Sequence, residues 1–156
     1  MSITIIQKEI KSMNSEQINL VQASFAEVRP IAAVAAELFY TRLFVLDPSL
    51  RPMFRGDLAH QGRMLMAMLN SAVNGLTQLD TVVPVVRQLG ARHAKYGVRD
   101  EHYATVGSAL LWTLEQGLGD KFTPAVRDAW AAAYDMLAGV MQIGAIEARS
   151  RLAAAA

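Results

Sequence analysis

The 156-residue chain contains no cysteine. Disulfides, thiolate metal centres and cysteine nucleophiles are therefore excluded. Charge of either sign is also in short supply as a feature: 15 basic and 14 acidic side chains leave a net charge of +1. No basic stripe offers phosphates a continuous footprint, which argues against a nucleic-acid partner. Long apolar runs are missing too. The longest uncharged stretch, Met64 to Leu79, carries Asn70, Ser71, Asn74, Thr77 and Gln78. It is shorter than the roughly 20 apolar residues that span a bilayer, so no membrane segment is expected. Met1–Met13 lacks the basic head, long apolar middle and small-residue cleavage site of a signal peptide, so the expected location is the cytoplasm. Only three histidines occur, His60, His93 and His102.

Apolar residues are abundant: 53% of the chain, with a mean hydropathy of +0.21. Such a chain either buries itself thoroughly or wraps something large and apolar. Its length fits one domain, since domains run to about 100–200 residues.

The apolar spacing is helical throughout, without sustained strand-like alternation. Ser15 is read as the cap of a first helix that runs to Pro30. A second is expected from about Ile31 to Leu46. Asp47-Pro48 reads as a cap followed by proline at the first helical position of a short helix. Gly56-Asp57 precedes a long helix from about Leu58 to Leu76. Asp80 or Thr81 is expected to cap the next, which stops at Tyr96-Gly97, where glycine accepts the left-handed conformation. Asp100 is read as the cap of a helix to about Gly117, and Thr123-Pro124 as the start of a last one to about Arg149. Short connections argue for one compact bundle. Residues 1–12 read as an extension ahead of residues 13–149, and 150–156 as an alanine-rich frayed tail.

Gln61, Leu65, Met68 and Ala72 share one helical face, apolar except for Gln61. Val82, Val86, Leu89 and His93 share another, so His93 ends an apolar stripe one turn before a glycine stop. One reading of His93 is a partly solvated imidazole favoured by the helix dipole. The other is a metal or haem ligand, because neutral imidazole is the commonest metal donor. Neither His60 nor His102 shares its face, and the stripe supplies no carboxylates for a three-ligand zinc site. A single axial histidine between apolar walls suits haem, whose other four donors are its own. Met64, Met66 and Met68 are read as core filler, and Trp112 and Trp130 as packing.

From about Ser15 to Ile143 the chain resembles bacterial single-domain haemoglobins and the globin domains of flavohaemoglobins. Leu38-Phe39-Tyr40-Thr41-Arg42-Leu43-Phe44 is similar to that family's second helix, with its pocket tyrosine. Asp47-Pro48-Ser49-Leu50-Arg51-Pro52-Met53-Phe54 resembles its short helix ending in a haem-stacking phenylalanine. Gln61 and Leu65 match the distal glutamine and the apolar position one turn on. Arg92-His93-Ala94-Lys95-Tyr96-Gly97-Val98 resembles the proximal segment, His102-Tyr103 the start of the next helix, and Asp128-Ala129-Trp130 with Tyr134 the last.

The resemblance implies an all-α, three-over-three helical globin enclosing haem b. It makes His93 the iron ligand, and Tyr40 and Gln61 the donors to a bound diatomic gas (O2, NO or CO). Phe54 would stack on the porphyrin. Phe39, Leu43, Leu65, Leu89, Val98, Tyr103 and Val106 would line the pocket, and Arg92 would pair with a propionate. The second ring N–H of His93 is expected on a backbone carbonyl near Leu89. His60 is expected to point away from the iron, and His102 to face solvent. One position departs from the family. The glutamate that usually joins the tyrosine and proximal histidine corresponds to Ala145, with Glu147 on a different face.

Two functions follow from the resemblance. The first is a binding protein for oxygen, without catalytic residues, present as a monomer or weak homodimer. The second is a nitric oxide dioxygenase that draws electrons from a separate reductase. A third, a haem-free or haem-sensing module, would need a signalling partner domain.

Overall fold

The computed structural model describes residues 13–155; the expectation for residues 1–12 lies outside it. Six α-helices follow one another: α1 (Ser15–Val28), α2 (Ala32–Leu46), α3 (Leu58–Asn74), α4 (Leu79–Lys95), α5 (Asp100–Leu118) and α6 (Pro124–Ala155). Short 3-10 turns fill Arg29–Ile31, Pro48–Met53, Gly75–Thr77 and Gly119–Lys121. No strand occurs among the described residues.

Local chemistry sets the boundaries, in places differently from expectation. The first cap is Asn14, not Ser15: its side chain accepts from the Gln17 N–H while Gln17 reaches back to the Asn14 N–H. This reciprocal pair satisfies two backbone donors that a helix start leaves orphaned. Asp47 caps the Pro48–Met53 turn by accepting from Ser49, and Asp57 caps α3 by accepting from Ala59. Neither Asp80 nor Thr81 caps α4, which begins at Leu79 behind Gln78 with no side-chain cap. Asp100 is the first helical residue of α5 rather than its cap. Thr123 starts α6 as expected, its hydroxyl accepting from the Val126 N–H. That helix continues through Ala155, past the expected end near Arg149.

α4 ends where the sequence places a glycine stop. Gly97 has φ +89°, the Val98 N–H donates to the His93 carbonyl, and the Gly97 N–H donates to that of Ala94. This 6→1 and 5→2 pair is a Schellman stop. It ties the corner after α4 to the backbone of His93.

The packing divides into two apolar clusters. The larger joins α1, α2, α3, α5 and the first half of α6 around Val21, Phe25, Leu43, Leu76, Leu114 and Trp130. The smaller joins α4 to the second half of α6 through Val86 and Val140, and Leu137 touches both. Trp130 Nε1–H donates to Ser24 Oγ at 2.8 Å, and Tyr134 Oη–H to the Tyr103 carbonyl at 2.5 Å, fixing α6 on α1 and α5.

α4 and α6 approach unusually closely. A Cβ on Gly90 would lie 1.9 Å from the Met141 carbonyl oxygen, and one on Gly144 would lie 1.9 Å from that of Arg87. One turn beyond each contact, Arg87 forms a two-pronged ion pair with Glu147, at 2.7 and 2.8 Å from Nη2. By length and composition α6 could cross a membrane, which the sequence reading did not anticipate. Its apolar residues between Val126 and Ile143 contribute to the two clusters, while Ile146 and Leu152 beyond them are exposed.

Candidate functional site

α3 and α4 are linked through the Gly75–Thr77 turn but barely touch along their lengths. They belong to the two different apolar clusters, so a division of the core runs between them. His93 and Leu89 on α4, Leu65 on α3, and Val98 and Val106 beyond α4 are all half-buried. Met64 and Met68 on α3 are 53% and 38% exposed, so the core-filler reading holds for Met66 but fails for these two. Val85, two turns before His93 on α4, is 58% exposed. Large apolar side chains left open on two helices are surface that a flat apolar ligand would cover.

His93 is chemically prepared. Its Nδ1 lies 2.9 Å from the Leu89 carbonyl oxygen, one turn earlier, as the sequence reading expected. A carbonyl can only accept, so Nδ1 carries the proton and the lone pair of the neutral ring sits on Nε2. Burial holds the imidazole below its ordinary pKa, opposed by that hydrogen bond and aided by the Arg92 charge. The only ring nitrogen able to bind a metal is therefore free to do so near neutral pH. Among the described residues no group of three or more His, Asp or Glu could hold a metal ion. One imidazole flanked by apolar surface fits a cofactor that supplies its own remaining donors, which is haem.

Tyr40, on α2, is 6% exposed. Its hydroxyl donates to the backbone carbonyl of Gln61 at 3.3 Å, longer than the 2.7–2.8 Å usual between oxygens. Gly62 permits this approach: a Cβ there would lie 2.9 Å from Ala36 Cβ on α2. Burial pushes the Tyr40 hydroxyl up to about 12, so it remains a donor throughout the physiological range. Phe54 packs edge-on against Tyr40 and Phe44, with ring centroids 5.3 and 5.5 Å apart. Tyr40, Gln61 and Phe54 thus share one neighbourhood.

Other expectations are placed differently. Leu43, expected on the pocket wall, is completely enclosed by the chain's own core. Phe39 is 5% exposed and, with Leu65, lines a small apolar cavity of about 20 Å³ bounded by Phe25 and Trp130. Arg92, expected at a propionate, lines a groove between α4 and α6 with Lys95 and Arg151. His102 is not solvent-facing: it is buried, and its Nδ1 accepts from the Arg99 N–H at 2.9 Å, closing the start of α5. His60 is exposed. Tyr103 is buried and its hydroxyl has no partner among the described residues. Buried hydroxyls are nearly always paired, so this one is an exception within the fold. Ala145, where the resemblance expects a glutamate, is buried, and Glu147 is held by Arg87.

The sequence reading missed Arg149. From α6 its Nη2 donates to the Val98 carbonyl at 3.1 Å, and its Nη1 lies 3.8 Å from Asp100 Oδ1. No local pattern signals this contact across 51 residues.

Comparisons with known proteins bear on the family to which this fold belongs. The globin family model matches residues 37–141. The flavohemoprotein of Bordetella parapertussis is 34% identical over 125 residues, which cover 78% of this chain and 31% of that protein. The flavohemoprotein of Bacillus subtilis is 29% identical over 129 residues, which cover 81% of this chain and 32% of that protein. The chain spans about a third of the length of these curated relatives. It belongs to the globin family, an all-α haem b fold that binds diatomic gases.

Proposed function

We propose that the chain is an oxygen-binding haem protein in which His93 is the iron ligand and Tyr40 and Gln61 select the gas. The observation that carries this reading is the fixed tautomer of His93, set by its 2.9 Å bond to Leu89. Haem, held by His93, would supply the iron that takes up a diatomic gas.

The residues supply the rest. Leu89 orients the imidazole and keeps its lone pair on Nε2. Leu65, Leu89, Val98, Val106 and the exposed Met64 and Met68 offer apolar surface, which retains the porphyrin at roughly 25 cal/mol per Å² buried. Tyr40 gives up a long bond to the Gln61 carbonyl and turns its O–H to the gas, so little is lost on rearrangement. The Gln61 amide supplies a second donor. A gas that gathers negative charge, such as oxygen, gains about 1.5–3 kcal/mol from each such bond, whereas carbon monoxide gains less.

Absorption spectra of the purified protein, oxidised, reduced and oxygenated, test this. A stable, reversible oxygenated spectrum supports it; immediate oxidation on exposure to air contradicts it.

The likeness to flavohemoproteins favours a second reading, nitric oxide dioxygenation with electrons from a separate reductase. Sustained consumption of nitric oxide with a reductase present would select it. Consumption of a single equivalent would select the carrier.

A further inference from the structure

The α4–α5 corner that follows His93 is held from two directions. From within, the Val98 N–H donates to the His93 carbonyl. From outside, Arg149 on α6 donates to the Val98 carbonyl at 3.1 Å and reaches Asp100, the first residue of α5, at 3.8 Å. A relay of main-chain groups therefore joins the Arg149 guanidinium to the residue that carries the imidazole. Arg149 lies one turn after Ala145 on the same side of α6, a spacing that brings residues onto one face.

We propose that Arg149 is a positioning residue for the proximal histidine, clamping the corner behind it and placing a positive charge on the side where the resemblance expects a carboxylate. The inference rests on His93 being the iron ligand. Three observations support it.

First, the histidine has a neutral partner. Its Nδ1–H goes to the Leu89 carbonyl, and no acidic side chain bonds it among the described residues. A carboxylate partner would draw the proton and give the ring imidazolate character, which stabilises the ferric state. Here that influence is missing. Second, the position from which such a carboxylate would act is filled by the methyl group of the buried Ala145. Glu147, the nearest acid along α6, is fully engaged by Arg87 on both oxygens. Third, Arg149 and its partner Asp100 lie close enough to the buried Tyr103 for both charges to reach its phenol, where burial raises the pKa, Arg149 lowers it and Asp100 raises it by less. A cation there favours whichever iron state carries less positive charge, which is ferrous, the state that binds oxygen.

The groups around the corner make the assignment specific. Arg92 and Lys95 line the α4–α6 groove, and Arg99 is paired with Glu101. Only Arg149 bonds the corner's main chain among the basic side chains of α6 described here.

The test uses the haem-loaded protein. Arg149→Gln removes the charge and can keep one hydrogen bond; Arg149→Lys restores the charge. Asp100→Asn removes the counter-charge and leaves the guanidinium in place. The readouts are the ferric–ferrous midpoint potential, the iron–histidine stretching band of the ferrous protein, and the rate of haem transfer to an acceptor globin. Arg149→Gln is expected to shift the equilibrium about threefold toward ferric, close to 28 mV at 59 mV per tenfold for one electron. Arg149→Lys should recover the potential while still releasing haem faster than wild type, since it has no second prong. Asp100→Asn should move the potential the opposite way. If Arg149→Gln leaves both the potential and the haem-transfer rate at wild-type values, or if Asp100→Asn shifts the potential toward ferric, the inference is overturned. Failure of the His93 reading itself would appear separately, as a wild-type ferrous protein without an iron–histidine band.

Discussion

Tyr40 on α2 hands its hydroxyl hydrogen to the main-chain oxygen of Gln61 on α3, 21 residues later, across a gap kept narrow by Gly62. The bond is long, so it parks the donor without holding it tightly. Replacing Tyr40 with Phe should therefore cost little stability, yet remove one donor to the gas. From about 1.5–3 kcal/mol per bond to a charged group, the oxygen off-rate should rise about 10–150-fold. Stopped-flow displacement of oxygen by carbon monoxide measures it, and an unchanged rate would refute the role of Tyr40.

The reciprocal glycine contacts between α4 and α6 give a test of how the proximal helix is held. Gly90→Ala would drive a methyl group into the Met141 carbonyl, and Gly144→Ala into that of Arg87. Both obstacles are backbone, so the helices must separate. Each substitution should destabilise by about 1–3 kcal/mol. Denaturant titration should also show that removing the Arg87–Glu147 pair matters less, because these side chains are 32% and 40% exposed and such pairs contribute about 0–1 kcal/mol. The reverse order would mean that charge, not close approach, holds α4.

Acid should release the cofactor through His93. Burial lowers the pKa of this imidazole from its ordinary 6.5, so the unfolded chain binds the proton more readily than the folded one. The stability this residue supports is complete above pH 6.5 and declines as pH falls toward the folded value. Iron at Nε2 would compete with the proton and push the loss to still lower pH. Haem-free protein should thus begin to lose stability below pH 6.5, and haem-loaded protein only at lower pH. Coincident acid transitions in the two forms would argue against the ligand role.

Tyr40 governs the alkaline limit. Its hydroxyl keeps its proton to about pH 12, against 10 for an ordinary tyrosine. The oxygen off-rate should therefore stay flat through pH 10. A rise in off-rate that follows a pKa near 10 would show that the donor is another group.

Much of this architecture is legible in the sequence because it is local. Asp57, Thr123-Pro124 and Gly97 mark helix ends through interactions reaching at most a few residues, and each does so here. Leu89 and His93 are one turn apart, so their bond follows from helical spacing. Caps with competing candidates are harder: Asn14 outranks Ser15 because Gln17 completes a reciprocal pair. Tyr40 and Gln61 meet across two helices, and only the resemblance joined them. His102, expected to face solvent, instead serves a backbone N–H inside the fold through its ring. Leu43 and Arg149 owe their places to packing between distant helices, which periodicity does not encode.

The most direct test replaces His93 with glycine and supplies imidazole from solution. The account predicts that His93→Gly purifies with little haem and a displaced Soret band, and that added imidazole restores both cofactor content and the wild-type ferrous spectrum. A variant that holds haem with an unchanged spectrum, imidazole absent, would contradict it.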